Sequence, residues 1–303
     1  MNHPASMKIP AMLRHGAARA AQWRPIVLLV LVGWIPTAIL AVPLWRILAE
    51  QLDASVHAAQ WAQRFDVLVV ADLIAKFGAS GSALAGSGIA AAVLFLLLLP
   101  FQHALLVSAA RTDERLGLGS LLHAGLREYG PMLRMLLVSI IPLGVALGLT
   151  ALAFKGVSKY GERAILVSDV ENLSWAADVL AGLLIIFALA GVEAGRARFA
   201  YDPRKRSAFK AWWRGVKLVF FHPLRAFGIF LGISVPALLV LAALALLRIE
   251  LPGGSGAVAF GGWVVVQLIA AVFIWANFAR LSAYFEWTRA VQEAAATPTR
   301  PPA

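Results

Sequence analysis

LVSIIPLGVALGLTALAF, residues 137–154, decides the fold. Only Ser139 and Thr150 in this run carry polar side-chain groups. A helix built from it is apolar on every face, whereas a helix that meets water needs a polar face. Arg134 and Lys155 bracket 20 uncharged residues here. A helix needs roughly 20 apolar residues to cross a hydrocarbon core about 30 Å thick.

The same test finds other spans on either side. Uncharged stretches of 21, 34, 22 and 29 residues lie between Arg24 and Arg46, Lys76 and Arg111, Arg225 and Arg248, and Glu250 and Arg280. A shorter one, VLAGLLIIFALAGV, holds 14 residues between Asp178 and Glu193. It becomes a span if Asp178 occupies an interfacial turn beside Trp175 and Glu193 lies near the opposite end. Prolines fall within the spans at 36, 43, 100, 142 and 236. Each removes a backbone hydrogen bond and is expected to kink its helix.

Composition agrees. Of 303 residues, 60% are hydrophobic and 14% are charged, against roughly 25% charged in ordinary soluble domains. That balance excludes a disordered chain and argues against a soluble enzyme. The absence of cysteine excludes disulfides, thiol nucleophiles and thiolate metal sites. The net charge of +11 points in so apolar a chain to membrane topology before nucleic acid.

The basic residues sort by side. The arm before the first span, the second and fourth connections, and the segment after the sixth span carry 20 of the 27 Lys and Arg residues. The positive-inside rule then places both termini in the cytoplasm of a bacterial inner membrane. Six spans satisfy that parity and five do not, which supports the short fourth span. The basic N-terminal segment and its apolar run read as an uncleaved first helix, because no clean small-residue cleavage site follows. Trp23 and Trp45 bracket that helix as interfacial aromatics.

Three entries into odd-numbered spans look alike: LRHGAARAAQWRPIVLLVLVGWIP (13–36), LLHAGLREYGPMLRMLLVSIIP (121–142) and FKAWWRGVKLVFFHPLRAFGIFLGISVP (209–236). Each reads as a basic amphipathic helix, a proline, then an apolar helix with a second proline. The proline pairs are 11, 11 and 13 residues apart. Leu122, Leu126, Tyr129 and Leu133 keep the i, i+4, i+7, i+11 spacing of one helix face, as do Phe209, Trp213, Val216 and Phe220. Lys210, Arg214 and Lys217 form an adjacent row. With Arg204, Lys205 and Arg206 they make a candidate binding face for anionic lipid.

The expected fold is therefore all-α, a single polytopic membrane domain. Six transmembrane helices carry basic amphipathic interfacial helices before the first, third and fifth. A threefold parallel repeat of helical hairpins is expected, near 1–110, 111–200 and 201–303, with chance likeness among basic and apolar segments as the competing explanation. Parallel repeats differ from the inverted ones of many secondary transporters. Residues 296–303 are expected to be a disordered tail.

SLLHAGLREYGPMLR (120–134) and SAFKAWWRGVKLVFFHPLR (207–225) carry a resemblance. The chain resembles bacterial six-helix integral membrane proteins related to the membrane domain fused to some glycerophosphodiester phosphodiesterases. The likeness covers most of the chain and is compositional. It implies the six-helix fold; phosphodiesterase activity is not carried over, because no such catalytic domain is read in these residues.

Outside the spans, residues 47–82 read as an external loop that can lay an amphipathic helix on the membrane surface. GASGSALAGSG (78–88) lacks the lysine and hydroxyl of a phosphate-binding loop and reads as a flexible helix entry. Residues 155–175 read as a solvated loop and 249–256 as a short turn.

No catalytic or metal motif emerges. The six histidines, at 3, 15, 57, 103, 123 and 222, form no H-E-x-x-H pair, and there is no G-x-S-x-G elbow. No cofactor is implied. Polar groups inside spans are costly and therefore informative. Gln102, His103, Glu193, Asn277 and Arg280 lie toward the basic ends of the even-numbered spans and form a candidate intramembrane polar site. Glu193 has a plainer alternative as an i,i+3 partner of Arg196, and His103 as a helix–helix hydrogen bond. Gln267 reads as glue between helices. Gly144-x-x-x-Gly148 and Gly228-x-x-x-Gly232 predict tight packing, within the chain, between copies of it, or with other membrane proteins.

The function expected from these features is non-enzymatic: an accessory or lipid-interacting factor of the inner membrane, with anionic lipid as partner and no nucleic acid. The alternative is a transporter or channel for a small or amphipathic solute, which the prolines and the polar set favour. The scarcity of ionisable groups near midplane counts against it.

Overall fold

The computed structural model describes residues 8–52, 81–112, 114–162, 166–201, 207–251 and 256–296. Among these described residues the elements are eight helices: α1 (Ile9–Ala20), α2 (Trp23–Leu52), α3 (Gly81–Arg111), α4 (Leu118–Gly161), α5 (Val167–Tyr201), α6 (Ala208–Phe221), α7 (Pro223–Glu250) and α8 (Gly256–Ala296). Among the described residues there is no strand. Six of the helices, α2, α3, α4, α5, α7 and α8, are long and apolar enough to cross a membrane. Among the described residues the secondary structure is thus all helical, with the architecture of a multi-pass membrane protein.

Several boundaries differ from the sequence reading. The fourth span does not begin at a turn beside Asp178; α5 starts at Val167 and runs through an exposed Asp178. Much of the segment read as a solvated loop at 155–175 is helical, in the end of α4 and the start of α5. The glycines from Gly81 onward lie in the first turns of α3 instead of a flexible entry. A long apolar run propagates helix past weak formers at its ends, because each added residue gains a hydrogen bond without a new nucleation cost. The rest of the external loop, 53–80, and the tail, 297–303, lie outside the described residues.

The prolines inside the spans interrupt no helix; α2, α3, α4 and α7 each continue past theirs. The three amphipathic entries end differently. At the third, His222 leaves helical geometry (φ −132°, ψ 57°) and Pro223 opens α7. A proline ring clashes with the Cβ of the residue before it in helical geometry. At the second, Gly130 precedes Pro131 and has no Cβ to clash, and α4 runs through as one helix of 44 residues. The entry expected as a separate helix there is the first three turns of a span.

α3, α5 and α8 touch one another and form an inner trio. The odd-numbered spans lie around it: α2 against α3 and α8, α4 against α3 and α5, and α7 against α5 and α8. The best-buried part of the molecule is not midway along the spans. It lies at the basic end, where the inner helices carry unbroken buried runs, Ala104–Ala110, Ala190–Gly195 and Leu281–Thr288. Tyr284 and Trp287 are among the largest fully enclosed side chains. Toward the other end, large apolar residues such as Trp45, Ile89, Leu152, Val167 and Ile249 are exposed. Lipid covers such surface as well as protein does, so the spans gain little there from packing on one another.

Glycines set the crossings at the basic end. α1 crosses α8 at Gly16, where a Cβ would lie 2.6 Å from the Ala279 carbonyl oxygen. The start of α4 crosses α3 at Gly125, where it would lie 2.8 Å from the Phe101 ring. α6 crosses α5 at Gly215, directly on the backbone of Gly195. In α7, Gly228 and Gly232 receive Ile9 and Leu13 of α1. This glycine pair packs tightly, as such a motif predicts, and its partner is a helix of the same chain. At Gly144 and Gly148 a Cβ would meet nothing within 4 Å among the described residues.

Candidate functional site

The polar groups singled out in the spans divide. Glu193 of α5, Asn277 and Arg280 of α8 come together. Arg280 Nε donates to Glu193 Oε1 at 2.9 Å, and both side chains are largely buried. Arg280 Nη2 donates to Asn277 Oδ1 at 2.7 Å, and Asn277 Nδ2 donates to the Phe273 carbonyl one turn back at 2.8 Å. Arg280 Nη1 reaches α7 and donates to Ser234 Oγ at 3.0 Å. The guanidinium lies 4.9 Å from the centre of the Phe230 ring. One side chain thereby ties α5, α7 and α8.

The pairing expected between Glu193 and Arg196 is replaced by this interhelical one; Arg196 stays in the electrostatic neighbourhood of Glu193 and Arg280. The second carboxylate oxygen, Glu193 Oε2, is buried without a hydrogen-bond partner. Tyr284 donates to the Ala226 carbonyl at 2.8 Å and adds a further α8–α7 link. Gln102 and His103 on α3 take no part in the hydrogen bonds that hold Arg280. Gln267 accepts from Trp34 Nε1 at 2.8 Å and joins α8 to α2.

Sequence reasoning missed Ser234, Phe230 and Tyr284. Nothing marks Phe230 in a run of apolar residues, and Ser234 is one hydroxyl beside Pro236. A buried guanidinium has five donors to satisfy, so Arg280 demanded partners, but their identity depends on helices 46 and 87 residues away.

α6 is the second candidate surface. The Ser207 hydroxyl caps it by accepting from the Lys210 backbone N–H at 3.2 Å. One face, with Ala208, Ala211, Trp212, Gly215, Leu218 and Val219, is buried, mainly against α5. The other exposes Phe209, Lys210, Trp213, Arg214, Lys217 and Phe220. Lys217 Nζ lies 5.9 Å from the centre of the Trp213 ring. The structure therefore groups Lys210, Arg214 and Lys217 with aromatics on one open face. Arg204, Lys205 and Arg206 lie outside the described residues.

Two ion clusters tie the remaining short-helix contacts. Arg111 at the end of α3 and Arg127 of α4 both approach Glu128 Oε1, at 3.3 and 3.8 Å. Arg19 of α1 and Arg289 of α8 flank Glu286 at 3.3 and 3.8 Å. Arg19 also donates to the Ala110 carbonyl. Arg24 of α2 donates to the carbonyls of Arg115 and Leu116. Among the described residues no group of three or more His, Asp or Glu is placed to hold a metal ion. No family model, curated protein or solved structure matches the chain.

Proposed function

We propose that the protein is a non-enzymatic, multi-pass factor of a bacterial inner membrane that binds anionic lipid through its basic end, with both termini in the cytoplasm. The observation that carries this reading is the open face of α6. A helix with one face docked on the protein and the other presenting Phe209, Trp213 and Phe220 beside Lys210, Arg214 and Lys217 suits the interface of an anionic leaflet. Aromatic rings enter the headgroup region, and each basic side chain near that surface contributes about 1 kcal/mol.

The intramembrane polar groups serve assembly in this reading. Arg280 directs its donors to Glu193, Ser234 and Asn277, each a group of this chain. That closed arrangement supports a structural role over a solute path. We also read the three glycine crossings, each a short amphipathic segment laid on the basic end of an inner span, as the trace of a threefold parallel repeat. In that scheme α1 of the first copy packs on α8 of the last and closes the ring.

The test is lipid binding by purified protein. Charge reversal at Lys210, Arg214 and Lys217 together removes three favourable contacts of about 1 kcal/mol each. The variant should bind phosphatidylglycerol much more weakly and phosphatidylcholine unchanged. Undiminished phosphatidylglycerol binding overturns the proposal.

A further inference from the structure

Two of the three crossings at the basic end share a charge pattern that, among the described residues, the third leaves incomplete. At the α3–α4 crossing, Arg111 from the inner helix and Arg127, two residues past Gly125, share Glu128. At the α8–α1 crossing, Arg289 from the inner helix and Arg19, three residues past Gly16, share Glu286. At the α5–α6 crossing, Arg198 lies three residues past Gly195 and Arg214 one residue before Gly215. The contact of Gly215 with the Gly195 backbone brings these two positions to one crossing. Among the described residues, neither has a carboxylate partner. Leu218, three residues past Gly215, stands where Glu128 follows Gly125.

We propose that a phosphate group, carried by an anionic lipid headgroup, sits between Arg198 and Arg214 and supplies the negative charge that Glu128 and Glu286 supply at the other two crossings. Two guanidinium groups brought to one crossing by the docking of α6 on α5 disfavour each other's charge, and an anion between them relieves that. Arg198 Nε is buried and makes no hydrogen bond. Arg111 also leaves Nε and Nη2 without hydrogen bonds, but its Nη1 is held by Glu128. Among the described residues Arg198 has no such anchor. A guanidinium fork matches phosphate oxygens, and charge-assisted hydrogen bonds of this kind are the strong ones. Arg214 is open to the outside and lies on the same face as Trp213 and Phe209, which places apolar contacts for an acyl chain next to the charge pair.

This inference rests on the lipid-binding reading above and narrows it to one headgroup. The test is native mass spectrometry of the detergent-purified full chain with added phosphatidylglycerol, phosphatidylcholine or inorganic phosphate. Wild type should retain one phosphatidylglycerol under activation that strips the others. Arg198→Gln should lower that retained fraction about tenfold, the loss of one charge-assisted contact. Arg198→Lys keeps the charge without the fork and should fall between. Lys210→Glu/Lys217→Glu should reduce the loosely held lipids and leave the retained one. Each variant's thermal midpoint reports whether it is folded.

Retention in folded Arg198→Gln equal to wild type overturns the site, while loss of loosely held lipid in the lysine double variant still upholds the broader reading. No preference for phosphatidylglycerol in any protein overturns both. Stabilisation by inorganic phosphate equal to that by the lipid, lost in Arg198→Gln, keeps the phosphate site and overturns the lipid as its source.

Discussion

Gly215 of α6 rests on Gly195 of α5 with no side chain between the two backbones. Neither position can gain a Cβ without moving a helix, since a Cβ on Gly195 would itself lie 2.9 Å from the Trp212 Cα. Gly215→Ala is expected to destabilise the protein by about 1–3 kcal/mol, the range for overpacking a tight site. Gly144→Ala, in open surroundings, should be neutral or slightly stabilising, because alanine favours helix by roughly 0.5–1 kcal/mol over glycine. Thermal unfolding of the two variants in one detergent checks the contrast. Equal effects would mean that the crossing is not tight.

The Glu193–Arg280 pair gives a second expectation. Removing one partner of a buried pair leaves an uncompensated charge and costs about 3–5 kcal/mol. Arg280→Leu should therefore destabilise strongly. Glu193→Leu/Arg280→Leu should recover much of the loss, because the desolvated carboxylate goes too. Unfolding midpoints of the single and double variants provide the measurement, and additive losses would contradict the pairing.

Ser207 caps α6 with its hydroxyl. Ser207→Ala should cost about 1 kcal/mol, felt locally. Hydrogen exchange should quicken at the first-turn amides of α6 and remain unchanged in α7. No change at Lys210, whose N–H the hydroxyl accepts, would show that the cap contributes nothing.

Orientation is testable directly. A green fluorescent protein fused after Ala303 should fluoresce, and an alkaline phosphatase fused there should be inactive, since both report a cytoplasmic end. The opposite pair of results would reverse the assigned sidedness.

Whether a feature is legible in the sequence follows from what each residue depends on. Arg134 and Lys155 announce the ends of an apolar stretch without reference to any other segment, and α4 indeed covers it. Glu193, Asn277 and Arg280 stand out as polar groups inside apolar runs, and they do meet. Gln102 and His103 carry the same signal and stay outside that hydrogen-bond set. Gly144-x-x-x-Gly148 and Gly228-x-x-x-Gly232 are identical as motifs, yet among the described residues only the second has a helix against it.

The amino-acid sequence alone sets the number of apolar helices and where charge accumulates. A helix in a bilayer satisfies its own backbone hydrogen bonds, so apolarity and length within one segment suffice. Tertiary packing was needed to place the core at the basic end, to make Arg280 hold α5 and α7 together, and to lay Gly215 of α6 on Gly195 of α5. Those outcomes depend on which distant segments meet. Lipid solvates an apolar helix face as readily as protein does, so hydrophobicity alone cannot select the partner; close backbone approach and matched polar groups make the choice.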